Sequence, residues 1–417
     1  MKQILLLSLL CASLTTEAQT TLTVEVKNTL DQPRMDYVVV PLAPYGEVRS
    51  AQVTAPCITD DGCATCIEEI PYQLDDLDLD EQFDELCFQV SLEKKETKTY
   101  TVELYNTGEP KEFKQKVYAE MLMRNDKVKE KNKHNNFVSS ITVRGDCANS
   151  YNLLHHHGVA FESELNGIRI YFDKRQTLDL YGKFQPRLEL KETQFYTSAE
   201  QKQAGYGDDV LWVGNTFGLG AFRGWDSKEP TMVDPVKNRT QRIISYGPLR
   251  TIVELVDQGW VVDEKLPPVN MTLRYTQYAN HRNTDVDVFF NRDVNDYLFS
   301  TGIINVKGSV EFSDKRGLRA CWGTDYPSTD TVKWKPETVG LAILLAKENI
   351  ISEEPANKDN YAFVVGTKGK HLKYKVSYCS DNESFGYHSA KEWFDYLRCW
   401  RKELETPIKV SIKKNGK

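Results

Sequence analysis

The chain has 417 residues, too many for one small domain, and its 40% hydrophobic and 27% charged residues are ordinary for a globular protein with a sizeable core. The formal net charge of -7 argues against nucleic acid as a partner, because phosphates call for a basic face, although one local cluster of Arg and Lys can still serve an anionic sugar. Its 21 Tyr and 7 Trp are plentiful, which strands favour and sugar-binding surfaces also use.

The N-terminus reads as a secretion signal. Lys2 supplies the positive end, Ile4 to Leu14 the short apolar core, and Thr16-Glu17-Ala18 a small-residue cleavage site, so residues 1–18 are expected to be removed and the protein to be periplasmic or secreted. A lipoprotein would use Cys11, but Leu10 stands where a small residue is wanted. No later run is long and apolar enough to be a transmembrane segment. Of the 9 cysteines, Cys57, Cys63, Cys66 and Cys87 cluster, which in an oxidising compartment reads first as disulfides, with half a zinc site as the competitor. Cys147, Cys321, Cys379 and Cys399 are scattered.

Residues 19–110 alternate in strand fashion (TLTVEVKN, YVVVPLA, ELCFQVSL, KTYTVELYN), with turns at Asp31-Gln32-Pro33 and Asn106-Thr107-Gly108, and predict a small N-terminal β-sandwich. Within it Asp76, Asp78, Asp80, Asp84 and Glu85 have the alternation of a calcium loop without its glycine, so an acidic hairpin turn competes with a divalent-ion site; no cofactor is required. Residues 109 to 136 are Lys-rich and predict a connecting strand and an exposed loop. From Phe137 to Ala346 longer strands return, and residues 111–417 read as a large antiparallel β-sandwich domain in an all-β chain. Ile168, Ile170 and Phe172 point one way and Arg169, Tyr171 and Asp173 the other. VGLAILLAKE is a buried strand or short helix, SAKEWFDYLRCWRKELE has helical spacing and predicts a capping helix, and IKVSIKK closes the chain as a strand.

Chemistry concentrates between Leu153 and Asp226. His155, His156 and His157 stand in a row although the protein has 7 histidines, and Glu162, Glu164, Arg169, Lys183, Tyr206, Asp208 and Trp225 follow on short strands with Gly-rich turns. Neighbours on a strand face opposite ways, so only His155 and His157 could share a side, with Glu164 or Asp208 as further ligands were a metal bound.

Several long motifs in this region carry a resemblance: HHGVAFESE (His156 to Glu164), RIYFDKRQTLDLYGK (Arg169 to Lys183), EQKQAGYGDDVL (Glu200 to Leu211), GLGAFRGWD (Gly218 to Asp226), GPLRTIVE (Gly247 to Glu254) and YANHR (Tyr278 to Arg282). With IPYQLDDLDLDEQFDELCF and KTYTVELY near the start, the chain resembles the secreted bacterial DUF4861 family, which includes ulvan oligosaccharide dehydratases. The larger domain then resembles the mutarotase-like supersandwich of several polysaccharide lyases. The resemblance implies β-elimination at a uronic acid ending an oligosaccharide. That reaction needs a cation to neutralise the carboxylate, a base for the neighbouring proton and an acid for the leaving oxygen.

For those roles the residues offer His157 as base with His156 beside it, Tyr206 between two glycines as acid, and Arg250 as the carboxylate fork, with His281 and Arg282 as second choices for base and cation. Arg169, Lys183, Glu162, Glu164, Asp208 and Trp225 would contact the sugar. A hydrolase using Glu162 and Glu164 and a non-catalytic glycan-binding protein are the competing readings.

Overall fold

Alternating apolar residues do build the strands. The computed structural model describes residues 18–58, 65–124 and 136–416; residues 1–17, where the secretion signal is expected, Cys63 and the Lys-rich residues 125–135 lie outside them. The chain is all-β with antiparallel sheets, and it divides into two units. Among the described residues no helix is long and apolar enough to cross a membrane.

The smaller unit takes Met1–Leu74, Glu81–Glu112 and Ile408–Lys417. Its five-stranded sheet contains Thr20–Lys27, whose burial alternates residue by residue and sends Leu22, Val24 and Val26 inward. A three-stranded sheet built around Glu85–Leu92 faces it, and Phe88 meets Tyr100 across the gap at 5.2 Å. The final strand departs from the expected division at residue 110. Lys409–Lys414 pairs with Thr20–Lys27, Val26 opposite Val410, so the C-terminus returns to cover an edge of this sheet. Cys57 and Cys66 form a disulfide, and Cys87 is buried.

The larger unit takes Asp75–Asp80 and Phe113–Pro407. A nine-stranded antiparallel sheet runs from Val310–Ser313 at one edge to Ser140–Arg144 at the other. Two five-stranded sheets share its core: Phe161 packs toward Tyr275, and Phe222 stacks on Tyr374. VGLAILL is a strand within Glu337–Leu345. The helix Ala390–Glu405 starts at Ser389, whose Oγ accepts from the Glu392 amide at 3.3 Å, and lays Trp393, Phe394, Leu397 and Trp400 on Leu318, Ala320, Ala342 and Cys379.

The site depends on one of the five-stranded sheets, in the order Asp208–Asp209, Leu178–Gly182, Gly167–Tyr171, Gly158–Ser163, Val117–Glu120. One face carries Ile168, Ile170, Leu178 and Leu180 into the core. The other is polar yet buried, so these strands are buried along their whole length rather than at alternate residues. Gly158 has to be glycine, since a Cβ there would sit 1.7 Å from the Ile170 carbonyl oxygen.

Candidate active site

Arg169 lies at the centre of the polar face. Hairpin register sets it opposite Asp179 on one side and Ala160 on the other, and the small alanine leaves room for the guanidinium. Arg169 donates to Asp179 Oδ2 through Nε (3.0 Å) and Nη2 (2.6 Å), to Asp209 Oδ2 through Nη2 (2.8 Å), and to Tyr196 Oη through Nη1 (3.1 Å). Tyr171 Oη donates to the same Asp179 oxygen at 2.7 Å, and the Phe195 ring lies 4.3 Å from the cation. Two carboxylates therefore share one buried cation. Burial and the charge of Asp179 push the Asp209 carboxyl well above its ordinary range, so Asp209 is the member of the pair that tends to hold a proton. Tyr171 is raised too, by burial and by Asp179, and stays a phenol.

His157 stands beside this group. It ends the turn before the Gly158 strand in a left-handed conformation, φ +70°, an uncommon one for a residue with a side chain. Its ring stacks on Tyr151 at 3.8 Å and meets the edge of Tyr171. Nδ1 lies 3.1 Å from the Tyr151 carbonyl, an acceptor, which assigns the ring proton to Nδ1 and leaves the lone pair on Nε2. Burial, then the Arg169 charge, lowers its pKa to about 4, so the imidazole is neutral at physiological pH. Arg175 closes the neighbourhood: it pairs with Asp173 at 2.6 Å and lies over the rings of Tyr151 (4.6 Å) and Tyr171 (4.8 Å). Arg124, exposed, adds positive potential at His157. Chemically this is a half-open patch of arginines, phenols and one unprotonated imidazole nitrogen, backed by a carboxyl whose pKa burial and Asp179 push up.

The other expected site residues go elsewhere. His156 is fully buried with both nitrogens engaged, Nδ1 at Gly158 O (2.8 Å) and Nε2 at Glu120 Oε1 (3.1 Å), so it has no edge for a substrate. The histidines occupy a turn rather than a strand; His155 meets Tyr196 edge-on at 5.6 Å. Lys183 spends its ammonium on Glu162 (2.5 Å), Ser163 O (2.7 Å) and Arg187 O (2.6 Å), and Glu162 also accepts from the Glu189 and Leu190 amides. This is a structural clamp, so neither residue is a sugar contact and Glu162 is not half of a hydrolytic pair. Glu164 accepts from the Asn280 amide.

Tyr206 lies under Arg187 (4.1 Å), and Asp208 pairs with Lys202, both on the clamp side. The turn that carries His157 and the clamp residue Glu162 lie at opposite ends of the Gly158–Ser163 strand, so Tyr206, on the clamp side, is not placed beside His157. Arg250 is buried against Asp75 (2.6 Å) with Nη1 on Tyr278 Oη (3.2 Å), and its fork is spent there. His281 packs near the Tyr278 ring, and its carbonyl accepts from Ser163 Oγ at the strand end away from His157. Arg282 is buried with Glu383 at 2.7 Å. Trp225 belongs to the second five-stranded sheet, opposite Pro230. Of the expected residues, the structure brings together His157 and Arg169.

The family described as a domain of unknown function, DUF4861, matches residues 26–410, nearly the whole chain. This is a DUF4861 protein. Among solved structures, a protein in glycosyl hydrolase family 38 from Enterococcus faecalis aligns over 95% of this chain and 47% of its own, with 10% identity and a TM-score of 0.48. An alpha-mannosidase from Enterococcus faecalis V583 aligns over 94% and 46%, with 11% identity and a TM-score of 0.45. The chain thus spans about half the length of either. No curated protein matches the sequence significantly.

Sequence reasoning missed Tyr151, Arg175, Asp179 and Tyr196 in this DUF4861 protein, and gave Asp209, in the GYGDDVL motif, no role. A signal for Asp179 was present. Folding YFDKRQTLDL as a hairpin about Asp173–Gln176 puts Arg169 opposite Asp179, and an acid between Leu178 and Leu180 in a buried strand demands a counter-ion. Tyr151, Tyr196 and Asp209 arrive from loops and a short edge strand, and no local spacing announces them.

Proposed function

We propose that this DUF4861 protein is a carbohydrate-active carbon–oxygen lyase that eliminates water from a uronic acid at the non-reducing end of an oligosaccharide. The observation that carries the reading is the unprotonated Nε2 of His157 set among Arg169, Arg175 and three tyrosines. In this reading the positive charge of the exposed Arg124, with that of Arg175 held half-buried on Asp173, neutralises the substrate carboxylate and so acidifies the adjoining C–H. His157 Nε2 takes that proton, and the C–H electron pair becomes the new C=C bond. The neighbouring C–O bond breaks, and the departing oxygen takes a proton from Tyr171 or Asp209 and leaves as water.

The low pKa of His157 keeps the base ready but weak. A bound carboxylate raises it by bringing a negative charge among the arginines, so the base strengthens when substrate arrives. The same reading places the protein outside the cytoplasm, supported by the signal-like residues 1–18 and the Cys57–Cys66 bond.

The test is incubation with uronate-capped oligosaccharides. Elimination yields an alkene conjugated to a carboxylate, seen by ultraviolet absorbance, and a product lighter by one water. Loss of a sugar unit instead would make it a chain-cleaving lyase, and cleavage without ultraviolet absorbance would make it a hydrolase and end the proposal.

A further inference from the structure

A second polar hollow, of about 840 Å³, lies among the loops next to the second five-stranded sheet, lined by Trp212, Asn215, Arg223, Lys307, Lys358 and Asn360 among others. Its size is that of a ligand pocket. Three features mark it out. Trp212 is 52% exposed at its wall, an unusual cost for the largest side chain, and its ring is propped over Gly214, whose φ is +51° and where a Cβ would lie 3.4 Å from the indole Nε1.

Arg223 is 2% exposed, yet each of its hydrogen bonds goes to a neutral acceptor: Arg175 O (3.2 Å), Asn215 O (2.7 Å), Thr216 O (2.6 Å) and Thr177 Oγ1 (2.9 Å). No carboxylate among the described residues forms an ion pair with it, although buried arginines ordinarily have one; burial lowers its pKa to about 10. Lys307 and Lys358 are exposed at the rim, and Glu229, Asp325 and Asp359 supply acceptors around it.

We propose that this hollow is a second sugar-binding site, in which Trp212 stacks on a pyranose ring and the polar wall takes its hydroxyl and acidic groups. A flat aromatic wall beside mixed donors and acceptors suits a ligand with one apolar face and hydroxyls around its edge. Its place supports a substrate longer than one unit. Arg223 holds the carbonyl of Arg175, whose guanidinium covers Tyr151 and Tyr171, so the hollow and the His157 site back onto the same turn, Asp173–Thr177. The proposal rests on the carbohydrate reading above but not on elimination chemistry.

The test is titration of the His157→Ala protein, which cannot complete elimination, with a tetrasaccharide ending in a uronate, followed by indole fluorescence and by calorimetry. Glucose and glucuronate titrated alone show whether the ring or the acid group is recognised. Trp212→Ala in that background should weaken oligosaccharide binding roughly tenfold, the worth of one good stacking contact, and Trp212→Phe should recover most of it. In the otherwise native chain, Trp212→Ala should raise KM and leave kcat unchanged. Equal affinity in the Trp212→Ala and parent proteins, or no binding of the oligosaccharide at all, overturns the proposal. Absent ultraviolet product with Trp212-dependent binding would instead refute the elimination reading alone.

Discussion

Replacing Asp179 by Asn tests how Arg169 is held. Asp179 Oδ2 receives both Arg169 Nε and Nη2 and the Tyr171 hydroxyl, and Oδ1 receives the Leu180 amide. Removing one partner of a buried ion pair ordinarily costs about 3–5 kcal/mol. Here Asp209 already touches the same Nη2, and although burial, the larger cause of its raised pKa, stays, the repulsion from Asp179 vanishes. It can therefore ionise more readily in place beside Arg169, and the expected loss falls to about 2 kcal/mol, the worth of a hydrogen bond to a charged group. Asp209→Asn should cost less, about 1 kcal/mol or under, since the carboxyl it replaces holds a proton much of the time.

Asp179→Asn with Asp209→Asn leaves the guanidinium with no anion and should lose more than the two single changes added together. Urea unfolding followed by tryptophan fluorescence, with coincident circular dichroism, reads all three. Additive losses, or a larger loss for Asp209→Asn than for Asp179→Asn, would refute the shared-cation picture. The pH dependence has a fixed sign. An acid whose folded pKa is raised binds more protons folded than unfolded, so its share of stability falls as pH rises above the unfolded value, and Asp209→Asn should remove that fall.

For His157 the folded pKa of about 4 lies below the ordinary histidine value of 6.5, so stability is lost as pH drops from 6.5 towards 4; allowing for its partial exposure this is about 1–2 kcal/mol, and His157→Gln should abolish that slope in paired unfolding curves at the two pH values. In the native protein kcat/KM should hold down to about pH 5 and decline below it, whereas an ordinary histidine base would begin to fail near 6.5. Lys183→Met leaves Glu162 buried without its cation and should cost about 3–5 kcal/mol while the folded fraction keeps its kcat, measured by active-fraction-corrected assay. Trp393→Ala, which empties the contact between the helix Ala390–Glu405 and the nine-stranded sheet, should cost about 3–5 kcal/mol in the same unfolding assay.

Strand alternation and helical spacing were enough to place the β architecture and the capping helix, because burial of Val24, Val102 or Trp393 is written into local periodicity. The return of Lys409–Lys414 to the first strand was not legible, since an exposed Lys-rich strand does not name its partner. At the site, residue type found His157 and Arg169 but over-read the other charges. Arg250, Arg282, Lys183 and His156 looked available in sequence, yet each meets a distant carboxylate, Asp75, Glu383, Glu162 or Glu120, and is consumed. Whether a cation is free or spent depends on pairings 21 to 175 residues apart, and the chain order does not display them.

The central claim is that His157 removes a proton from a uronate within the Arg169 neighbourhood. It is tested most directly by the ultraviolet absorbance of the reaction with uronate-capped oligosaccharides, run beside His157→Ala. The account predicts a rising signal that His157→Ala abolishes while its unfolding curve at neutral pH stays close to that of the native protein. An undiminished signal in folded His157→Ala would contradict it.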